Sequence, residues 1–122
     1  MLSTKGLVIA LAIAGTSFAT VAAAHPRLAS ANPAPNSVMR GSPRVIRATF
    51  SEALIDSFSG IEVRSVSGAA MPVGKATVDP RDRRTLVANV DRPLAPGSYV
   101  VRWHAVSADT HRLQGVYSFR VR

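Results

Sequence analysis

Ser98-Tyr99-Val100-Val101-Arg102-Trp103-His104-Ala105-Val106 is the stretch that decides the fold class. Alternation puts Tyr99, Val101 and Trp103 on one face and Arg102 and His104 on the other. A period of two marks a strand with one buried and one wetter face. The lone Trp, with its large apolar area, reads as core. The same period recurs in Val45-Ile46-Arg47-Ala48-Thr49-Phe50 and in Tyr117-Ser118-Phe119-Arg120-Val121-Arg122. Working outward, short apolar runs at 61–66, 73–78, 85–90 and 116–121 read as further strands, with a weaker one around 28–31. Phe50, Phe58, Tyr117 and Phe119 read as packing residues.

Between these runs lies turn chemistry. Asn32-Pro33-Ala34-Pro35-Asn36-Ser37 suits neither helix nor central strand, and Asp79-Pro80-Arg81-Asp82 and Ala95-Pro96-Gly97 are turn sequences. No long apolar period of 3.6 appears. About seven short strands at a spacing of roughly 8–12 residues predict an all-β domain, a β-sandwich or Greek-key barrel.

The 122 residues divide in two. Residues 1–24 carry one cation, Lys5, then an apolar stretch from Leu7 to Ala14, then Ala22-Ala23-Ala24. That is the pattern of a secretory signal peptide cut after Ala24, with an apolar stretch too short to span a bilayer. Removing 24 of the 122 residues leaves 98, residues 25–122, enough for one modest core. The net charge changes only from +8 to +7 on loss of Lys5. Thirteen of the fifteen cations are Arg, but no aromatic side chains alternate with them at a spacing suited to base stacking. The basic excess therefore reads as a solvated surface, or as attraction to an anionic membrane or acidic partner, and not as nucleic-acid binding. With no cysteine, disulfides, zinc–thiolate sites and thiol nucleophiles are excluded.

Cleavage after Ala24 makes His25 the first residue, so a free α-amine and an imidazole share one residue and can close a chelate. Pro26, which follows, has no amide proton for Cu(II) to displace. Far along the chain, Asp109 and His111 are two apart, which in extended chain puts their side chains on one face. Together the three residues offer two imidazoles, one amine and one carboxylate. Three nitrogens and one oxygen are a donor set that suits Cu(II). Met39 and Met71, the methionines after residue 24, have no methionine neighbour and do not make a thioether site for Cu(I).

At this point the sequence resembles the periplasmic copper-binding CopC/PcoC copper-resistance family. The resemblance rests on His25-Pro26 with Ser30-Ala31-Asn32-Pro33-Ala34 close behind, Thr49-Phe50-Ser51-Glu52, Leu94-Ala95-Pro96-Gly97-Ser98-Tyr99, Trp103-His104-Ala105-Val106-Ser107-Ala108-Asp109-Thr110-His111 and Gly115-Val116-Tyr117-Ser118-Phe119. These ordered motifs cover essentially all of 25–122. The resemblance implies a Greek-key barrel of immunoglobulin-like shape and a Cu(II) site of His25, Asp109 and His111. It places Glu52 beside the metal as a weak ligand or outer-shell acceptor. It also implies a periplasmic location and a CopD-like inner-membrane copper transport protein as partner.

The expected function is a monomeric, non-enzymatic Cu(II) binder that holds or delivers copper for resistance and homeostasis. Full ligation leaves little room for substrate or dioxygen. Two alternatives are a copper oxidase with an N-terminal histidine brace, and a metal-free immunoglobulin-like binding module. His104, on the outer face of its strand, reads either as an ordinary strand histidine or as a supporting partner of Asp109 or His111.

Overall fold

The computed structural model describes Gly15 and residues 27–122. The signal peptide and His25, as read from the sequence, lie outside the described residues. Eight strands are described: β1 (Leu28–Asn32), β2 (Val38–Met39), β3 (Val45–Phe50), β4 (Gly60–Ser65), β5 (Thr77–Asp79), β6 (Asp82–Asn89), β7 (Gly97–Val106) and β8 (Arg112–Val121). A single 3-10 turn, Asp56–Phe58, precedes β4. The strands form two four-stranded sheets, ordered β1-β3-β6-β5 and β2-β8-β7-β4. Of the two architectures open at the sequence level, the chain adopts the sandwich.

Alternation in sequence becomes the sandwich interior. Ile46, Ala48 and Phe50 of β3 and Leu86 and Ala88 of β6 face Val63, Tyr99, Val101, Trp103, Tyr117 and Phe119 of the second sheet across one core. Burying a side chain of the size of Leu, Ile or Phe contributes on the order of 1.5–3 kcal/mol. The Trp103 ring meets Phe50 edge-on, with centroids 4.9 Å apart, and so ties the two sheets together. The Tyr99 hydroxyl donates back to the Ala95 carbonyl and fixes the turn before β7. Burial raises the Tyr117 phenol to about 12.

The strands at 45–50, 98–106 and 116–121 fall where alternation predicts, with β8 starting earlier, at Arg112. The run at 73–78 is shorter than expected. Only Thr77–Asp79 pairs as a strand, while Val73 makes an isolated bridge to Val90. Pro72 and Gly74 interrupt the ladder before it. Phe58 corrects the sequence expectation of packing: it is 59% exposed, because it ends the 3-10 turn outside the sandwich. Met71 packs against the core, and Met39 pairs beside Val121 at the sheet edge.

Candidate metal centre

The β7–β8 hairpin and the segment after β3 meet at one end of the sandwich. Residues 51–55 are laced to 106–108 by backbone bonds: Ile55 N–H to the Val106 carbonyl at 2.8 Å and Ala108 N–H to the Ala53 carbonyl at 2.9 Å. This lacing carries Glu52 to the hairpin tip. One ligand atom from each of Glu52, Asp109 and His111 lies within 4.8 Å of the others. His104 is not in this group. Its imidazole lies over Gly60, where a Cβ would stand 2.4 Å from the ring, and it pairs across the sheet with Gln114.

Asp109 and His111 do not share a face of an extended strand, as their spacing suggests. The chain turns at Ala108 and Asp109, and Thr110 takes a left-handed φ of 71°. That kink brings the Asp109 Oδ2 and His111 Nδ1 to 3.0 Å. Ser107, fully buried, organises the turn. Its hydroxyl donates to Asp109 Oδ1, and its Oγ accepts the His111 backbone N–H at 3.2 Å. The Ser107 N–H in turn donates to the His111 carbonyl at 2.9 Å.

The electrostatics follow from these bonds. The Ser107 hydroxyl holds the Asp109 carboxyl below its ordinary value against the opposing effect of desolvation, and the His111 imidazole and backbone N–H lower it further by lesser amounts. Oδ1 is engaged by Ser107, which leaves Oδ2 as the oxygen turned toward His111. The Asp109 and His111 side chains are 54% and 50% exposed, so an ion from solvent can reach both. Two carboxylates and an imidazole are oxygen and nitrogen donors of the kind that suit a divalent ion.

The segment before β1 is held against the same corner. Arg27 N–H donates to Ser51 Oγ and Ser51 N–H donates to the Arg27 carbonyl, both at 2.9 Å. Ser51 adjoins Glu52. Of the sequence-derived ligands, the structure brings Asp109, His111 and Glu52 together, and His25 lies outside the described residues. Ser107 is the site residue that sequence reasoning passed over. It stood inside the quoted motif, but burial and its two bonds become visible only in three dimensions.

The family model described as the CopC domain matches residues 28–122, almost all of the described sandwich. The chain belongs to the CopC family. It is 35% identical over 127 residues to the copper resistance protein C of Pseudomonas syringae pv. tomato, covering all of both chains. Among solved structures, it is similar to CopC from Methylosinus trichosporium OB3b, with a TM-score of 0.73 and 28% identity over 80% of this chain and 93% of that one. It is also similar to PcoC, a methionine-rich copper resistance protein from Escherichia coli, with a TM-score of 0.69 and 40% identity over 81% of this chain and 100% of that one. This CopC-family chain differs from a methionine-rich protein in composition: it has three Met, of which Met71 packs against the core and Met39 pairs with Val121 at the sheet edge.

Proposed function

We propose that this CopC-family protein is a periplasmic Cu(II) carrier for copper resistance and homeostasis, and that it binds its cargo without catalysis. The observation that carries the reading is the convergence of Glu52, Asp109 and His111 within 4.8 Å at one half-exposed corner. His111 supplies an imidazole nitrogen and Asp109 supplies Oδ2. His25 supplies its imidazole and, once the leader is cut after Ala24, its α-amine. Glu52 offsets the charge of the ion from the outer shell, where a carboxylate orients ligands and tunes affinity. Three nitrogens and a carboxylate favour Cu(II) over Cu(I). A monomer that releases the ion to a CopD-like membrane transport protein fits a site lying at the tip of the fold and not in a closed interior.

The test pairs two measurements. Mass spectrometry of the exported protein should give a chain starting at His25. A Cu(II) competition titration of that chain should then give one tight site. His111→Ala and Asp109→Asn should each weaken it by at least tenfold, and Glu52→Gln by less. Met71→Leu should leave affinity unchanged. An N-terminus elsewhere, or tight binding indifferent to His111, would overturn the reading.

A further inference from the structure

The outer face of the sheet β2-β8-β7-β4 carries a charge imbalance that the copper site does not explain. Register places Arg112, Gln114, Val116, Ser118 and Arg120 of β8 on that face, with Arg102 and His104 of β7 and Glu62 and Arg64 of β4. Glu62 is the single acidic residue among these strand positions, and it is already bound by Arg64, with Nη2 to Oε1 at 2.6 Å. Arg102, Arg112 and Arg120 are exposed. The strands of the other sheet lie nearer balance: Arg47 is met by Asp79 at 2.7 Å and Arg84 by Asp82 at 3.4 Å, leaving Arg83 as the remaining cation. Unbalanced cation is therefore gathered on one side of the sandwich.

We infer that this face docks on an anionic phospholipid surface. The geometry favours a bilayer over an acidic protein segment. The cations do not converge on a pocket. Arg112 and Arg120 lie eight residues apart on one strand, about 27 Å, with Arg102 between them on the neighbouring strand. A plane of phosphates rewards such a spread, because each Arg near an anionic surface adds its own attraction. Two apolar side chains stand on the same face: Val116, directly opposite Arg102 and 65% exposed, and Val38, beside Arg120 and 56% exposed. They are suited to the headgroup boundary, while the long Arg stems let the guanidinium groups reach phosphate. Arg112 follows His111 directly, so docking this face sets the candidate copper residues at the rim of the membrane surface.

The experiment is co-sedimentation of residues 25–122, which contain every strand of the sandwich, with vesicles of phosphatidylglycerol and phosphatidylcholine, and with phosphatidylcholine alone. Binding is expected to the first at low salt, with little to the second, and to fall as salt screens the charges. The triple variant Arg102→Gln, Arg112→Gln, Arg120→Gln should lose about a hundredfold in partitioning. A control of equal charge on the β5–β6 turn, Arg81→Gln, Arg83→Gln, Arg84→Gln, should lose far less. All three target residues are exposed, and circular dichroism of each variant checks that the fold is kept. Equal losses in the two variants would overturn the assignment of a face. So would wild-type protein that ignores the anionic vesicles, and if it instead bound soluble polyglutamate, an acidic protein would be the partner. Copper-free protein should dock as well as loaded protein, which keeps this inference separable from the copper reading.

Discussion

The Asp109 carboxylate and the His111 imidazole are held 3.0 Å apart across one left-handed residue, Thr110, at φ 71°. A β-branched side chain in that region costs roughly 1–2 kcal/mol against ordinary backbone. Glycine removes the clash but adds about 0.5–1 kcal/mol of chain entropy to be lost on folding. Thr110 also donates its hydroxyl to the Asp109 carbonyl at 2.6 Å, an exposed bond of small net worth. Thr110→Gly is therefore expected to raise stability by about 0.5 kcal/mol. Urea unfolding should show a higher midpoint at unchanged slope. A lower midpoint would mean that the hydroxyl bond outweighs the backbone strain.

Ser107 is a positioning residue. Its Oγ is fully buried and serves Asp109 Oδ1 and the His111 N–H together. Ser107→Ala removes the acceptor of the His111 backbone N–H, at a cost of about 0.5–1.5 kcal/mol in stability, and frees the exposed Asp109 carboxylate to rotate. Cu(II) affinity should fall roughly tenfold to a hundredfold, the usual effect of losing an outer-shell partner. The electron paramagnetic spectrum of the bound ion should change as well, since ligand orientation changes. Ser107→Thr, which keeps the hydroxyl, should restore the spectrum. Loss of stability with an unchanged spectrum would make Ser107 a purely structural residue.

Strand identity was legible wherever one face is buried, because alternation is then enforced residue by residue. Tyr99, Val101 and Trp103 point inward as their spacing requires. Phe58 departs from the expectation because an aromatic side chain suggests core, whereas it stands among Asp56, Ser57 and Ser59 and its exposure depends on a 3-10 turn that carries no periodic signal. At the site, residue types and spacing singled out Asp109 and His111, and the family resemblance added Glu52, but the spacing misled on geometry. An extended chain and a left-handed turn both bring positions two apart together, and a threonine in the middle argues against the turn. Glu52 is 57 positions from Asp109, so its arrival at the hairpin was legible only through the family motif. The lacing of 51–55 to 106–108 supplies the physical cause.

Gly115 is a contact requirement. A Cβ there would stand 2.4 Å from Trp103 Cζ2 and 2.8 Å from Cε2. Trp103 cannot retreat, because Phe50 meets it edge-on from the other sheet. Gly115→Ala is expected to cost about 1–3 kcal/mol, the range for overpacking a filled interior. The fluorescence of the single Trp should shift toward a more solvated environment. Unchanged stability and emission would show that the β8 backbone yields instead.

Acid should act on this protein at three carboxylates. Asp79 lies below its ordinary 3.8 because the Arg81 N–H and then the Arg47 side chain bind its charged form. Asp82 is lowered by the Arg84 N–H and the Thr85 hydroxyl, and Asp109 chiefly by Ser107. A carboxyl whose folded pKa lies below its unfolded value binds fewer protons when folded. It therefore stabilises the fold above the unfolded value and loses that contribution as pH falls through the folded one. Stability of the copper-free protein should be level from neutral pH to about 5 and decline below about 4. Asp79→Asn with Asp82→Asn should flatten that decline, since the amides do not titrate. Copper should leave at higher pH than the fold does. Imidazole and amine donors must be deprotonated to ligate, and as chemical classes they hold their protons to higher pH than carboxylates do. Following Cu(II) occupancy and circular dichroism in one acid titration should therefore show two separated transitions, with copper release first. A single transition near pH 4 would mean that carboxylates alone hold the ion, and His25 and His111 would lose their place in the site.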